Sequence, residues 1–285
     1  MKFSKKVLKN GLTVVTVPMK DNPTVTVLVL VEAGSKYEDK RVNGISHFLE
    51  HMCFKGTSKR PKAIDISKEL DALGSQYNAF TSQEYTGYYA KSGAKHFKKI
   101  FDLVSDIYLN STFPEAEIEK EKGVIIEEIN MYEDMPQQKV AESLVALMYG
   151  DQPAGWSIAG PKSNITKFGR KDIVSYQSKH YHADNTLVVV SGDIDPRVVY
   201  AQVTTLFDTL PAAKPFRKQK VKIEKKKLKL AVVQKPIDQA HIAIGFHGVP
   251  FGHKDARALS LLSTILGRGL SSRLAQRLRE ELGAA

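Results

Sequence analysis

Cysteine is nearly missing from this chain of 285 residues: Cys53 stands alone, so no internal disulfide can form, which suits a reducing compartment or a fold that needs no covalent staple. No apolar run approaches the ~18 to 20 residues that cross a bilayer. The opening, MKFSKKVLKNGLTVVTV, has lysines but no uninterrupted apolar stretch, no small-residue cleavage site and no Arg/Ser-rich amphipathic presequence. A soluble, cytoplasmic protein with no membrane partner is the expectation. No Gly-Lys-Ser/Thr follows the glycines of LGRGLSS (266–272), which excludes a phosphate-binding loop and leaves a flexible turn between helices.

A net charge of +11 invites a nucleic-acid reading, but the charge is unevenly placed. Residues 211–285 hold 16 Lys or Arg against 5 Asp or Glu, so the first 210 residues are neutral. Most of the excess lies in KPFRKQKVKIEKKKLKL (214–230), where basic residues alternate with Val221, Ile223, Leu228 and Leu230. That pattern reads as a solvated linker running into a strand. Phe216 is its only aromatic and it carries no recognition motif, so nucleic acid is not expected as a partner.

What is present is ample material for a core, 42% apolar, in one large domain or two of ordinary size. Asn10-Gly11 between two short extended runs is a hairpin signal. TVTVLVLVEAG (24–34) is rich in β-branched residues and reads as a strand buried on both faces. Helical patterns follow at 43–53 and 61–73, then strand, turn and strand over 75–92. Three longer helices are predicted at 94–109, 115–134 and 137–149, a strand ending at Gly192, and a helix at 196–208. After the Pro- and Lys-rich linker the order restarts, with strands at 227–234 and 239–247 and helices at 254–266 and 271–282. The recurrence implies an α+β chain of two related domains, each a mainly antiparallel sheet covered by helices: 1–210, a linker at 211–226, and an incomplete second domain at 227–285.

The chemistry is concentrated in GISHFLEHMCFKGT (44–57). On a helix His47 and His51 lie one turn apart and can aim both imidazoles at one point. Two imidazoles and one carboxylate are a usual set of protein ligands for a catalytic zinc. Glu50 shares that face and is placed to take a proton from water that the metal acidifies towards ~7. This His-x-x-Glu-His order is the inverted zincin motif. The helix at 115–134 offers Glu121, Glu127 and Glu128 as a third ligand. Glu121 and Glu128 are seven apart and share a face flanked by Val124, Ile125 and Ile129, where an unpaired carboxylate costs several kcal/mol unless a metal meets it. Glu127 points elsewhere. His180, His182, His241, His247 and His253 lack such a pairing and read as structural or surface residues.

The HFLEH motif, followed after 70 and 77 residues by Glu121 and Glu128 inside EKGVIIEEINMYED, resembles the pitrilysin family of zinc peptidases. The likeness is to its bacterial processing-protease branch, itself similar to the mitochondrial processing peptidase. It extends through LKNGLTVVTVP, LGSQYNAFTSQEYTGYY, YHADNTLVVVSGD and LGRGLSSRLAQRLREELG, nearly the whole chain. The resemblance implies one Zn2+ per chain on His47, His51 and Glu128, Glu50 as general base, and Glu121 as a carboxylate that steadies the site. It implies Asn78, Ala79 and Phe80 as an edge strand along which a peptide or unfolded segment lies extended. In the family an arginine and a tyrosine seven residues later come from the second domain; Arg279 matches the first, and the second would fall at position 286. A zinc metalloendopeptidase is therefore expected, with a partner-dependent or inactive peptide-binding component as the alternative. A homodimer and a heterodimer both stay open.

Overall fold

A computed structural model describes residues 2–213, 216–223 and 229–284. The Asn10-Gly11 hairpin forms between β1 (Ser4–Val7) and β2 (Thr13–Pro18), closed by hydrogen bonds from the Leu8 N–H to the Leu12 carbonyl and from the Gly11 N–H to the Leu8 carbonyl. The other strands are β3 (Thr24–Val31), β4 (Gln76–Thr81), β5 (Thr86–Gly93) and β6 (Thr186–Gly192). They form one sheet in the order β1-β2-β6-β3-β5-β4, antiparallel at every pairing except β2 with β6. β4 thus forms one edge. Along β3 the side chains alternate between buried and half-buried, so the expected burial on both faces is corrected: only one face is fully sealed.

The helices are α1 (Ile45–Met52), α2 (Ala63–Ala72), α3 (Phe97–Leu109), α4 (Glu115–Asp134), α5 (Pro136–Tyr149), α6 (Lys162–Ile165), α7 (Arg170–His180), α8 (Pro196–Phe207), α9 (Ala256–Gly267) and α10 (Arg273–Ala275), the last continuing as π-helical turns over Gln276–Glu281. α3 covers β3 and β5 with Ile100, Phe101, Val104 and Ile107, and α8 packs on β2. α7 is an addition to the sequence reading. It buries only Ile173, Tyr176 and His180, spaced by three and four, which is too sparse a stripe to stand out in RKDIVSYQSKH.

The expected strands at 227–234 and 239–247 are corrected. Residues 227 and 228 lie outside the described residues, and 229–234 and 239–247 carry no regular secondary structure. Leu230, Val232, Ile242, Ile244 and Phe246 are each at least three-quarters exposed. Alternation assigns a residue to a face, but a strand also needs neighbouring backbone to take its hydrogen bonds, and among the described residues none pairs here. By compactness the chain divides at Ile242 into Met1–Ile242 and Ala243–Ala285; the second unit holds α9, α10 and the π-helical turns. No helix among the described residues is long and apolar enough to cross a membrane.

Candidate metal centre

α1 is amphipathic in the sense the motif requires. Ile45, Phe48, Leu49 and Met52 are buried on its core side, and His47, Glu50 and His51 face a groove of about 1250 Å³. Its entry is unusual. The N-cap is Gly44, left-handed at φ 100°, and it has no side chain with which to cap. Glu38, 2% exposed, performs that role from outside the helix. Its carboxylate accepts from the Gly44 and Ser46 backbone N–H groups, the Ser46 hydroxyl and the Asn43 amide at 2.6–2.9 Å. Burial pushes the Glu38 pKa up against these four donors, which pull it down. Gly44 also touches Gly160: a Cβ on Gly160, itself at φ 72°, would meet the Asn43 carbonyl oxygen at 2.3 Å. The loop at 155–162 on the groove wall is thereby seated on the start of α1, and Asn43 donates to the Ser157 carbonyl at 2.9 Å.

α4 brings Ile118, Glu121, Ile125 and Glu128 to one face, opposite α1. Ile118 and Ile125 flank the carboxylates; Val124, expected to do so, is half exposed, because the helical repeat carries it round to solvent. Glu127 is exposed, as its spacing predicts. His51 Nε2 lies 3.2 Å from His47 Nε2, and Glu128 Oε2 lies 3.4 Å from the former and 3.6 Å from the latter. Tetrahedral ligands about 2.05 Å from a metal stand about 3.3 Å apart, so this triangle fits a zinc-sized cation.

The surroundings tune each group. His51 Nδ1 donates to Glu121 Oε1 at 2.8 Å, which orients the ring and turns Nε2 to the triangle. Glu121 is almost fully buried, and Lys55 Nζ, 2.6 Å from its other oxygen, keeps it ionised; its pKa is lowered because the His51 and Lys55 hydrogen bonds outweigh burial. Burial works against protonation of His51, yet the bonds to Glu121 and Glu128 overcome it and raise the pKa to about 9. The point therefore favours positive charge. His47 goes the other way, to about 4, through burial and then the neighbouring His51, and its buried Nδ1 has no hydrogen-bond partner among the described residues. Glu128 is held low by His51 despite burial, with a further hydrogen bond from Tyr132. Burial raises the Glu50 pKa, although Thr81 donates to its carboxylate at 2.5 Å and acts to lower it.

Asn78, Ala79 and Phe80 lie on β4 and line the same groove. The Phe80 ring rests over Gly87, where a Cβ would sit 2.4 Å from ring Cζ. Glu121 does not line the groove; it touches the site through His51. Arg279 belongs to the Ala243–Ala285 unit, on the π-helical turns, with a mainly exposed side chain. Glu38, Lys55 and Thr81 were not singled out in the sequence. Lys55, four residues after His51, lies in the turn just past the end of α1 and carries no helical spacing that would mark it. Cys53 is spent on the core: burial pushes its thiol up to about 12, and it donates to Tyr88 Oη.

Two family descriptions match the chain, Insulinase (Peptidase family M16) over residues 13–162 and Peptidase M16 inactive domain over residues 167–285. A zinc protease of Bacillus subtilis is 38% identical over 281 residues, taking in 97% of this chain and 67% of that protein. The beta subunit of bovine mitochondrial-processing peptidase is 35% identical over 290 residues, with 94% of this chain and 56% of the subunit covered. The crystal structure of a protease from Helicobacter pylori superposes with a TM-score of 0.85 at 28% identity, over 99% of this chain and 69% of that one. The chain thus spans about two thirds of the length of these bacterial relatives. On these matches, which run from the first strands to the last helix, it belongs to peptidase family M16.

Proposed function

We propose that residues 1–210 are the catalytic half of a zinc metalloendopeptidase acting on extended peptides or presequence-like segments. One zinc per chain is held by His47, His51 and Glu128, and Glu50 is the general base. The observation that supports this best is the triangle of two imidazole nitrogens and one carboxylate oxygen, 3.2–3.6 Å on a side, in a groove bordered by an open strand edge. Bound zinc supplies a Lewis acid that acidifies water and polarises a peptide carbonyl. Glu50 takes the proton of the attacking water and returns it to the leaving amine; a carboxyl raised by burial is suited to both. Glu121, braced by Lys55, orients His51. β4 holds the peptide by backbone pairing, with Asn78 and Phe80 meeting alternate side chains. Residues 211–226 link this half to the start of a clamping domain at 227–285, where Arg279 would meet substrate.

A second reading, an inactive or partner-dependent peptide-binding component, is favoured by one observation: a relative 35% identical to the chain is named as a subunit of a processing peptidase. Metal analysis and a quenched fluorescent peptide separate the two. Purified wild type is expected to carry one zinc per chain and His51→Ala little; equal zinc in both would sink the metal assignment. Glu50→Gln should keep its zinc and lose hydrolysis, and retained turnover removes Glu50 as base. Wild type that holds zinc and binds peptide without cleaving it selects the second reading.

A further inference from the structure

The sheet edge and the proposed base meet at one hydroxyl. Thr81 ends β4, and its side chain falls in step with the half-buried Tyr77 and Ala79, while Asn78 and Phe80 alternate to the exposed side. Thr81 Oγ1 donates to Glu50 Oε2 at 2.5 Å. Its other neighbour, Thr86 Oγ1, is 3.4 Å away and sends its own proton to the Ala33 carbonyl at 3.0 Å. Thr81 has one proton to give, and the nearer, anionic acceptor receives it. Among the described residues, Thr81 is the only hydrogen-bond partner of the Glu50 side chain.

We infer that Thr81 is a positioning residue: it pins Glu50 by Oε2, leaves Oε1 towards the groove, and ties that orientation to the backbone of the edge strand. Among the described residues β4 is paired by β5 alone, so a peptide added along its other edge would brace the strand that holds the base. The inference rests on the reading of Glu50 as base and of β4 as the substrate edge.

Thr81→Val keeps the β-branched shape and removes the hydroxyl; Thr81→Ser keeps the hydroxyl and removes the methyl. With a quenched fluorescent peptide, Thr81→Val is expected to lower kcat about 10- to 100-fold with KM within about twofold and zinc content unchanged, and Thr81→Ser to restore kcat to within about threefold of wild type. A purely structural role predicts the reverse order, because valine is the better strand former. Equal activity in both variants, or a loss confined to KM, overturns the inference. Crystal structures of wild type and Thr81→Val supply a readout independent of turnover: the Glu50 carboxylate should leave its position in the variant, and an unmoved carboxylate overturns the inference. If wild type cleaves nothing, the peptidase reading fails, and the crystallographic comparison alone decides the role of Thr81.

Discussion

Glu38→Gln is the most revealing single substitution outside the proposed metal ligands, because one buried carboxylate seats the helix that carries both histidines. The amide has the same shape and keeps one acceptor oxygen, enough for the Ser46 N–H and hydroxyl. Turned that way, its NH2 group confronts the Gly44 N–H and the Asn43 amide, donor against donor. Two buried donors then lose their acceptor at ~1–3 kcal/mol each. The charge lost at the start of α1 removes a further ~0.3–1 kcal/mol. Against this, the amide avoids the desolvation that raises the Glu38 pKa, which places the expected loss near ~3 kcal/mol. Urea unfolding can be followed at Trp156, the only tryptophan, one residue before the Ser157 carbonyl that Asn43 holds. With a slope of ~2 kcal/mol per M, the midpoint should fall by about 1.5 M. A shift below about 0.3 M would refute the assignment of Glu38 as the cap of α1.

Three further outcomes are expected. His180 is 1% exposed, neither ring nitrogen has a hydrogen-bond partner among the described residues, and burial lowers its pKa to about 4. The unfolded chain, with an ordinary imidazole near ~6.5, therefore binds more protons between those values; stability is full above ~6.5 and falls with pH, by about 2 kcal/mol at pH 5. Urea midpoints at pH 7 and pH 5 should show this slope in wild type and a shallower one in His180→Gln; identical slopes contradict it. Arg60 bridges Glu69, Asp102 and the buried Asp106 at 2.7–2.8 Å, so Arg60→Ala removes the ion-pair partner of Asp106, leaving it hydrogen bonds from Thr57 and Asn110, and should cost ~3 kcal/mol, read as a melting temperature lower by roughly 6–12 °C. Glu121→Gln leaves Lys55 unpaired and loosens His51, and chelator competition should show zinc bound about 10- to 100-fold more weakly, with a ratio near one counting against the orienting role.

Features confined to one element were legible in the sequence. The spacing of His47 and His51, the seven-residue step from Glu121 to Glu128 and the Asn10-Gly11 turn each depend on a single period or turn type, and all three reappear in the structure. Where two elements meet, the sequence is silent. Glu38 caps a helix from a loop six to eight residues before its donors, and Thr81 reaches Glu50 across 31 positions. Neither contact follows from a pattern. Val124 shows a finer limit: its neighbours define an apolar face, but at 51% exposure it stands just outside it. The unformed strands over 229–234 and 239–247 show a third, since alternation is local and pairing is not.

Gly44 and Gly160 meet with no side chain between them, so the loop at 155–162 and the start of α1 share one backbone position and have no slack. Residues between Trp156 and Ala159 can exchange their side chains while the backbone beneath stays fixed. Over evolutionary time this separates two kinds of change. Substitutions along the loop could reshape what the groove admits while His47 and His51 stay where they are, whereas an insertion or deletion there would displace both at once.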